Sequence, residues 1–463
     1  MGGGGLEQTE CNGDQLNFQA VGRREVVARF DGGQLSSDGG GLVLRETERC
    51  TGIVKQFAQC FRDYRSPLMV EHSLDSLIGQ RVMGLALGYE DLNDHDQLRH
   101  DPLIATLVDK ADPTQPLAGK STLNRLELTP EGNGSDRYKR IVYDGEAVDR
   151  FLVKVFLQAH ATAPKRIILD LDTTDDEIHG GQEGRFFHGY YGSYCYLPLY
   201  IFCGEHLLCA RLRQSNVGPA EGTVEELERI VSQIRQCWPD VEIIIRADSG
   251  FCRDDILSWC EEHGVEYVIG LARNARLERM IASEMEQACA ESKLTGQPSR
   301  LYKDFEYQTL ESWSRTRRVV GKAEYLIDKQ NARFIVTSRA IESVAGQTIY
   351  EDEYCARGDM ENRIKEQKTF LFSGRTSATT MRANQLRLWF SSVAYLLMSA
   401  LRRLGLKDTD LAKAQCDTIR LKLFKIGARI RVTARKIWVS LSSSYPMAEL
   451  FARVCSNLAH ASP

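Results

Sequence analysis

Ile167-Ile-Leu-Asp-Leu-Asp172 decides the fold: four aliphatic residues with two aspartates alternating at the end of the run. A short apolar stretch of this kind forms a buried strand. The segment in front of it, Ala163-Pro164-Lys-Arg166, breaks what precedes, so a new domain begins near residue 163. Outward from there, Phe186-Phe-His-Gly-Tyr-Tyr-Gly192 and Tyr194-Cys-Tyr-Leu-Pro-Leu-Tyr-Ile-Phe-Cys203 lead to Gly204-Glu205 and then to His206-Leu-Leu-Cys-Ala-Arg-Leu212. Two apolar or aromatic runs about a glycine-containing turn predict an antiparallel hairpin. Residues 221–237 carry Val224, Leu227, Ile230, Val231 and Ile234 on one helical stripe, closed by Trp238-Pro239. A strand over 241–248, a helix over 254–263 and a strand over 265–270 follow.

The predicted order is therefore strand, hairpin, helix, strand, helix, strand, an α/β arrangement of a mixed sheet with helices packed on it. It resembles the ribonuclease-H-like order. Between residues 299 and 345 the signals turn to β again, through Phe305-Glu-Tyr307, Arg317-Arg-Val-Val320 and Arg333-Phe-Ile-Val-Thr337, which predicts a β-strand insertion before helix resumes near Ile349. Ahead of the sheet, Leu74, Leu77, Ile78, Val82 and Leu85 step by threes and fours, and a further helix is expected over 146–161 with Asp144 as its cap. The front of the chain is thus mainly helical. Within it, residues 89–101 gather acids and imidazoles at no metal-binding spacing, and caps and solvated faces account for them. Polar residues 129–136 mark a loop.

At 463 residues the chain is long enough for two or three domains, and 43% hydrophobic with 26% charged residues is ordinary for a folded globular protein. The 13 cysteines include no C-x-x-C pair and read as reduced, mostly buried residues of a cytosolic protein. The start, Met1-Gly-Gly-Gly-Gly5, lacks the basic-then-apolar pattern of a secretory signal. The most apolar run, residues 388–401, is shorter than the roughly 20 residues that span a bilayer and reads as a buried core helix. No membrane partner is expected.

Asp172 ends the first strand, and Asp248 ends Ile243-Ile-Ile-Arg-Ala-Asp before a Ser-Gly turn. Acids at the ends of neighbouring strands suit two-metal phosphoryl transfer, in which two divalent ions about 4 Å apart clamp attacking and leaving oxygens. Each acid alone reads equally as a turn cap. A third element changes the balance: Tyr354, Arg357, Glu361 and Lys368 are separated by three, four and seven residues, which on a helix holds all four on one face. That face offers a carboxylate between a phenol and two cations suited to phosphate oxygens. Asp170 and Asp172 alternate on one strand and share a face, so either can reach a metal; Asp172 is preferred as nearer the strand end. Asp175, Asp176 and Glu177 read as turn caps or solvated acids.

With these residues the chain resembles an insertion-sequence DDE transposase. It meets the Y-x2-R-x3-E-x6-K signature at Tyr354, Arg357, Glu361 and Lys368, and its Leu169-Asp-Leu-Asp-Thr-Thr-Asp-Asp176, Gly184-Arg-Phe-Phe-His-Gly-Tyr-Tyr-Gly192 and Arg246-Ala-Asp-Ser-Gly-Phe251 stretches are similar to insertion-sequence family thirteen-eighty. The resemblance implies that Asp172 (in D-x-T with Thr174), Asp248 and Glu361 are catalytic and metal-binding. It implies two Mg²⁺ ions, with Mn²⁺ able to substitute. Tyr354, Arg357 and Lys368 would contact DNA phosphates, and Trp313, in the β insertion, would hold a flipped base; a buried core tryptophan is the alternative for that position. The implied activity is Mg-dependent DNA cleavage and strand transfer of the cut-and-paste type, on double-stranded DNA comprising terminal inverted repeats and target. A homodimer on DNA, no small-molecule cofactor and a bacterial cytoplasmic, nucleoid-associated location go with it.

The domain organisation then reads as follows: 1–162, a mainly helical domain that binds DNA ends; 163–298, the first part of the ribonuclease-H-like core; 299–345, the β insertion; 346–375, the catalytic helix; and 376–463, a basic helical C-terminal region. The net charge of −4 hides this last polarity, because residues 363–436 hold 17 Lys+Arg against 4 Asp+Glu, a local +13 in an otherwise acidic chain. Residues 420–436 interleave cations with apolar residues, as a packed element tracking a phosphate backbone does. A haloacid-dehalogenase-like phosphatase is the rival reading, since Asp170-Leu-Asp172-Thr-Thr174 matches its D-x-D-x-T motif with Asp170 as nucleophile. It expects a parallel sheet and gives the Tyr354 to Lys368 face no task.

Overall fold

The computed structural model describes residues 15–132 and 135–461. The glycine-rich start and Cys11 lie outside the described residues, as do Asn133 and Gly134 of the polar loop.

An eight-stranded sheet organises the molecule, built from β1 (Arg166–Thr173), β2 (Leu199–Cys203), β3 (His206–Arg211), β4 (Glu242–Ala247), β5 (Glu266–Leu271), β6 (Ser299–Tyr307), β7 (Arg317–Leu326) and β8 (Lys329–Thr337). Their order across the sheet is β3-β2-β1-β4-β5-β8-β7-β6. β4 runs parallel to β1, and β5 parallel to β4, while β2 pairs antiparallel with both β1 and β3. The inserted strands continue the same sheet, with β8 pairing antiparallel against β5. The sheet is mixed, as expected from the sequence.

Alternation along β1 separates its two faces. Ile167, Leu169 and Leu171 enter a buried core with Ile243, Ile245 and Ala247 of β4. That core is closed by α2 (Gly145–Gln158), α3 (Thr223–Cys237) and α4 (Asp254–Glu262). Asp144 caps α2 by accepting the Ala147 N–H at 3.1 Å. Preceding these, α1 (Leu74–Leu87) belongs to the front of the chain, and α5 (Ala282–Thr295), which sequence periodicity had not marked, packs on β6 and β7. The other face of β1, with Asp170 and Asp172, is overlaid by α6 (Gly358–Phe370).

The apolar run at 388–401 lies inside α7 (Met381–Leu404), which is buried along nearly its whole length. α7 packs against α1 and against Leu42–Thr51, so the front helices and the C-terminal segment share one apolar core. α2 joins both cores, giving Phe151 and Leu152 to one and Val153 and Phe156 to the other. Among the described residues no helix is long and apolar enough to cross a membrane.

Two expectations need correction. The basic region is not all helical: Ala428–Val432 and Ile437–Leu441 are antiparallel strands, and Gln34–Ser36 from the front of the chain adds a third. The cause is the strict alternation Ala428-Arg-Ile-Arg-Val432, whose period of two suits a one-sided strand. The cysteines are also less buried than expected, with five buried, five partly buried and two exposed among the described residues, none in a disulfide. Residues 89–101 do serve as caps, with Asp91 accepting from Asn93 N and Asp101 from Leu103 N.

Candidate active site

The parallel register sets Arg246 opposite Asp170 and Ala247 opposite Leu171, so the next pair outward is Asp248 and Asp172 at neighbouring strand ends. Asp248 Oδ1 accepts the Gly250 N–H at 2.8 Å, capping the short turn Ser249–Phe251. The cap role that the sequence offered as an alternative is therefore filled, and it uses one oxygen only. Asp172 Oδ1 accepts from Thr173 N at 2.9 Å.

Asp170 shares the face of Asp172 but is engaged differently. Its buried carboxylate takes Arg246 in a two-pronged pair, Nε at 2.5 Å and Nη2 at 2.8 Å, while Arg246 Nη1 donates to the Glu353 carbonyl. Such a pair fixes both partners. A phosphatase nucleophile would have to be free, and nothing in the site favours that rival.

The segment carrying Tyr354 and Arg357 is not a regular α-helix. A π-helical turn runs through Ile349–Tyr354, a tighter 3₁₀ turn through Cys355–Arg357, and α6 starts at Gly358. These changes of pitch re-aim side chains that a uniform helix would line up. Tyr354 turns toward β5: a Cβ at Gly270 would sit 2.6 Å from its hydroxyl and 2.9 Å from Ser249 N. Gly270 therefore lets the phenol approach the strand beside Asp248, a role the sequence did not disclose. Burial raises the Tyr354 pKa, and the Asp248 charge adds to it.

Arg357 stands between two acids, with Nη1 3.2 Å from Asp172 Oδ2 and Nη2 2.7 Å from Glu361 Oε1. Glu361 is exposed, whereas Asp172 is largely covered. Burial pushes the Asp172 carboxyl up to about 6; Arg357 and the Thr173 N–H oppose this, and the nearby charges of Asp248 and Glu361 add to it. Three carboxylates thus share one electrostatic neighbourhood with a single guanidinium between two of them. Among the described residues no three His, Cys, Asp or Glu side chains converge closely enough to hold a metal as they stand. Oxygen-only donors and like-charge crowding suit a hard divalent cation, for which Arg357 would have to give up its place between Asp172 and Glu361.

Lys368, expected to contact phosphate, joins α6 to the segment after β1. Its ammonium donates to Thr174 Oγ1 at 3.1 Å and to the Asp175 carbonyl, and lies 3.8 Å from Asp176 Oδ1. Asp176 was expected to be a cap or solvated; it is fully buried, with both carboxylate oxygens lacking hydrogen-bond partners, and burial raises its pKa to about 8. Trp313 is not part of this cluster. Its indole is 5% exposed, edge-on to Tyr307 at 5.8 Å with Arg317 over the ring at 5.4 Å, so no face is open for a base. The core reading of Trp313 is the one the structure gives.

A mixed sheet thus brings two strand-end aspartates and a facing glutamate into one charged cluster. The chain belongs to the transposase DDE domain family, group 1, whose model matches residues 18–463. Membership makes it a nuclease and strand transferase of DNA transposition, a class that acts with divalent metals. No curated protein matches the chain.

Proposed function

We propose that the protein is the transposase of a bacterial insertion sequence, resembling family thirteen-eighty, that binds terminal inverted repeats and cuts and rejoins DNA by a cut-and-paste route. The observation that carries this reading is Arg357 bridging Asp172 and Glu361 beside Asp248. The order β3-β2-β1-β4-β5, with β1, β4 and β5 parallel and β2 antiparallel to β1, supports a ribonuclease-H-like core.

Asp172, Asp248 and Glu361 are the residues to hold two Mg²⁺ ions, or Mn²⁺ in their place. When bound, these ions supply charge neutralisation at the scissile phosphate and lower the pKa of water. The chain's own groups do the rest. Asp172 and Asp248 are fixed by backbone N–H donors, so their orientation is set before DNA arrives. Arg357 balances two carboxylates and is the cation nearest the site for phosphate oxygens. Tyr354, packed on Gly270, offers a hydroxyl on the Asp248 side. Lys368 holds Thr174 and Asp175, fixing the C-terminal end of β1 to α6. Pairing two ends calls for two active sites, and hence a homodimer on DNA.

The test is a cleavage assay on duplex DNA carrying the terminal repeats of the element, with Mg²⁺ supplied or chelated. Cutting by the wild type and loss of at least 100-fold in Asp248→Ala are expected; equal cutting by both would sink the assignment. Phosphomonoester turnover abolished by Asp170→Asn would favour the phosphatase instead.

A further inference from the structure

The small sheet of Gln34–Ser36, Ala428–Val432 and Ile437–Leu441 has two unlike faces. Ala428 and Ile430 are buried against Leu103, with Leu42, Val432, Val439 and Leu441 around them. Arg429 and Arg431 alternate with these and are exposed. The turn joining the strands adds exposed Arg435 and Lys436. Residues 418–448 contain seven Lys and Arg and no Asp or Glu. Among the described residues, none of Arg429, Arg431, Arg435 and Lys436 enters an ion pair, whereas Lys425, on the inner side, is paired with Asp38. A row of unneutralised cations on a rigid apolar-backed sheet is an unbalanced field that calls for a polyanion.

Trp438 completes the surface. It faces Arg431 across the ladder, with the Arg431 guanidinium 5.7 Å and the Lys436 ammonium 5.2 Å from its ring. The hairpin Gln15–Val21 and Arg24–Arg29 precedes the edge strand and presents Arg23 and Arg24, both exposed, at its turn. Ahead of the sheet, Arg420 donates to the carbonyl of Phe370, the last residue of α6, at 2.7 Å. Glu361 sits nine residues back along α6, about 14 Å at 1.5 Å per residue. None of Arg429, Arg431, Arg435 and Lys436 pairs with Asp172, Asp248 or Glu361, so the sheet is a surface additional to the acid cluster.

We infer that this three-stranded sheet is a second nucleic-acid surface, additional to the acid cluster, that holds the sugar–phosphate backbone of duplex DNA. The inference rests on the reading of the chain as an enzyme of DNA ends. The surface supplies affinity, through Arg429, Arg431, Arg435 and Lys436, and takes no part in the chemical step. Without base-reading geometry it is indifferent to sequence.

The test uses the full-length protein and a random-sequence 40-base-pair duplex, with affinity followed by anisotropy between 50 and 200 mM salt. Every phosphate left without its cation lowers the slope of log affinity against log salt by about 0.9. The pairs R429Q/R431Q and R435Q/K436Q are each expected to lower it by about 1.8, and R429K/R431K to retain the wild-type slope. Of the five tryptophans only Trp438 is exposed, at 46% against 8% or less for the others, so duplex should change the emission of the wild type and not of Trp438→Phe. End cleavage at saturating protein should stay within twofold in all four variants. Because R435Q/K436Q alters only the exposed turn, it reads the phosphate interaction even if the strand variant unfolds. An unchanged slope in both Gln pairs overturns the inference. So does an emission response to vesicles rich in phosphatidylserine with none to duplex. Asp248→Ala separates this surface from the acid site, because it should lose cutting and keep both the slope and the emission change.

Discussion

The Arg357 guanidinium lies 3.2 Å from Oδ2 of Asp172, a residue 185 positions earlier in the chain. The contact makes the protonation of Asp172 depend on Arg357. With its pKa raised to about 6 in the metal-free protein, Asp172 takes up a proton as pH falls through 6, so protons compete with the metal and cutting at limiting Mg²⁺ should fall with it. Removing a facing cation raises a carboxyl pKa further. Arg357→Gln should therefore shift the acidic limb of the rate profile to higher pH, with Arg357→Lys in between. Cleavage rates between pH 5 and 8 check this; limbs that coincide would show that Asp172 does not govern the profile.

At Gly270 the phenol of Tyr354 comes close against β5. Gly270→Ala places a methyl group inside contact distance of both the Tyr354 hydroxyl and the Ser249 backbone. Overpacking of this kind costs about 1–3 kcal/mol. Tyr354→Phe removes the nearer clash, so the double variant should recover part of the loss. Denaturant midpoints of the four proteins give the coupling, and strict additivity would mean that the two residues do not touch.

Asp176 carries a sign that can be worked out directly. Its ordinary pKa of 3.8 is raised by burial to about 8, so between those values the folded chain keeps a proton that the unfolded chain releases. Stability from this group is complete below pH 4 and is lost as pH rises through 8, by up to about 1.4 kcal/mol per unit. Asp176→Asn should remove that slope and be the more stable protein at pH 8. Thermal melts from pH 5 to 8.5 are the measurement, and parallel curves for the two proteins would contradict it.

Trp313 packs on Tyr307 and under Arg317, whose guanidinium is held by Asp254 and Glu261. Trp313→Ala should cost about 3–5 kcal/mol of stability, as large buried aromatics do. Trp313→Phe should retain folding and leave affinity for terminal-repeat DNA unchanged. A tenfold loss of affinity in the folded Phe variant would restore a DNA role.

The apolar content of β1, β4 and β5 and the stripe of α3 were plain because each pattern is local: buried strands need unbroken aliphatics and an amphipathic helix needs a 3.6-residue period. The acid pair was legible for the same reason, since Asp172 and Asp248 each end an aliphatic run. Helical reading failed at 428–441, where it passes over the period of two at 428–432 and the strand's partners, Gln34–Ser36 and the Leu103 surface, lie far off in the chain. Asp176 differed from its expected solvated role because an acid in a turn sequence is assigned to solvent, and only packing shows that the fold encloses it.

The amino-acid sequence by itself determined the elements, the strand-end aspartates, the spacing from Tyr354 to Lys368 and the concentration of basic charge near the C-terminus. Tertiary structure alone decided that Asp170 pairs with Arg246 while Asp172 meets Arg357, that Gly270 admits Tyr354, and that Trp313 is core. The physical reason is the range of the forces. Periodicity and capping act within a few residues, whereas desolvation and ion pairing depend on which distant segments are brought to the same few ångströms.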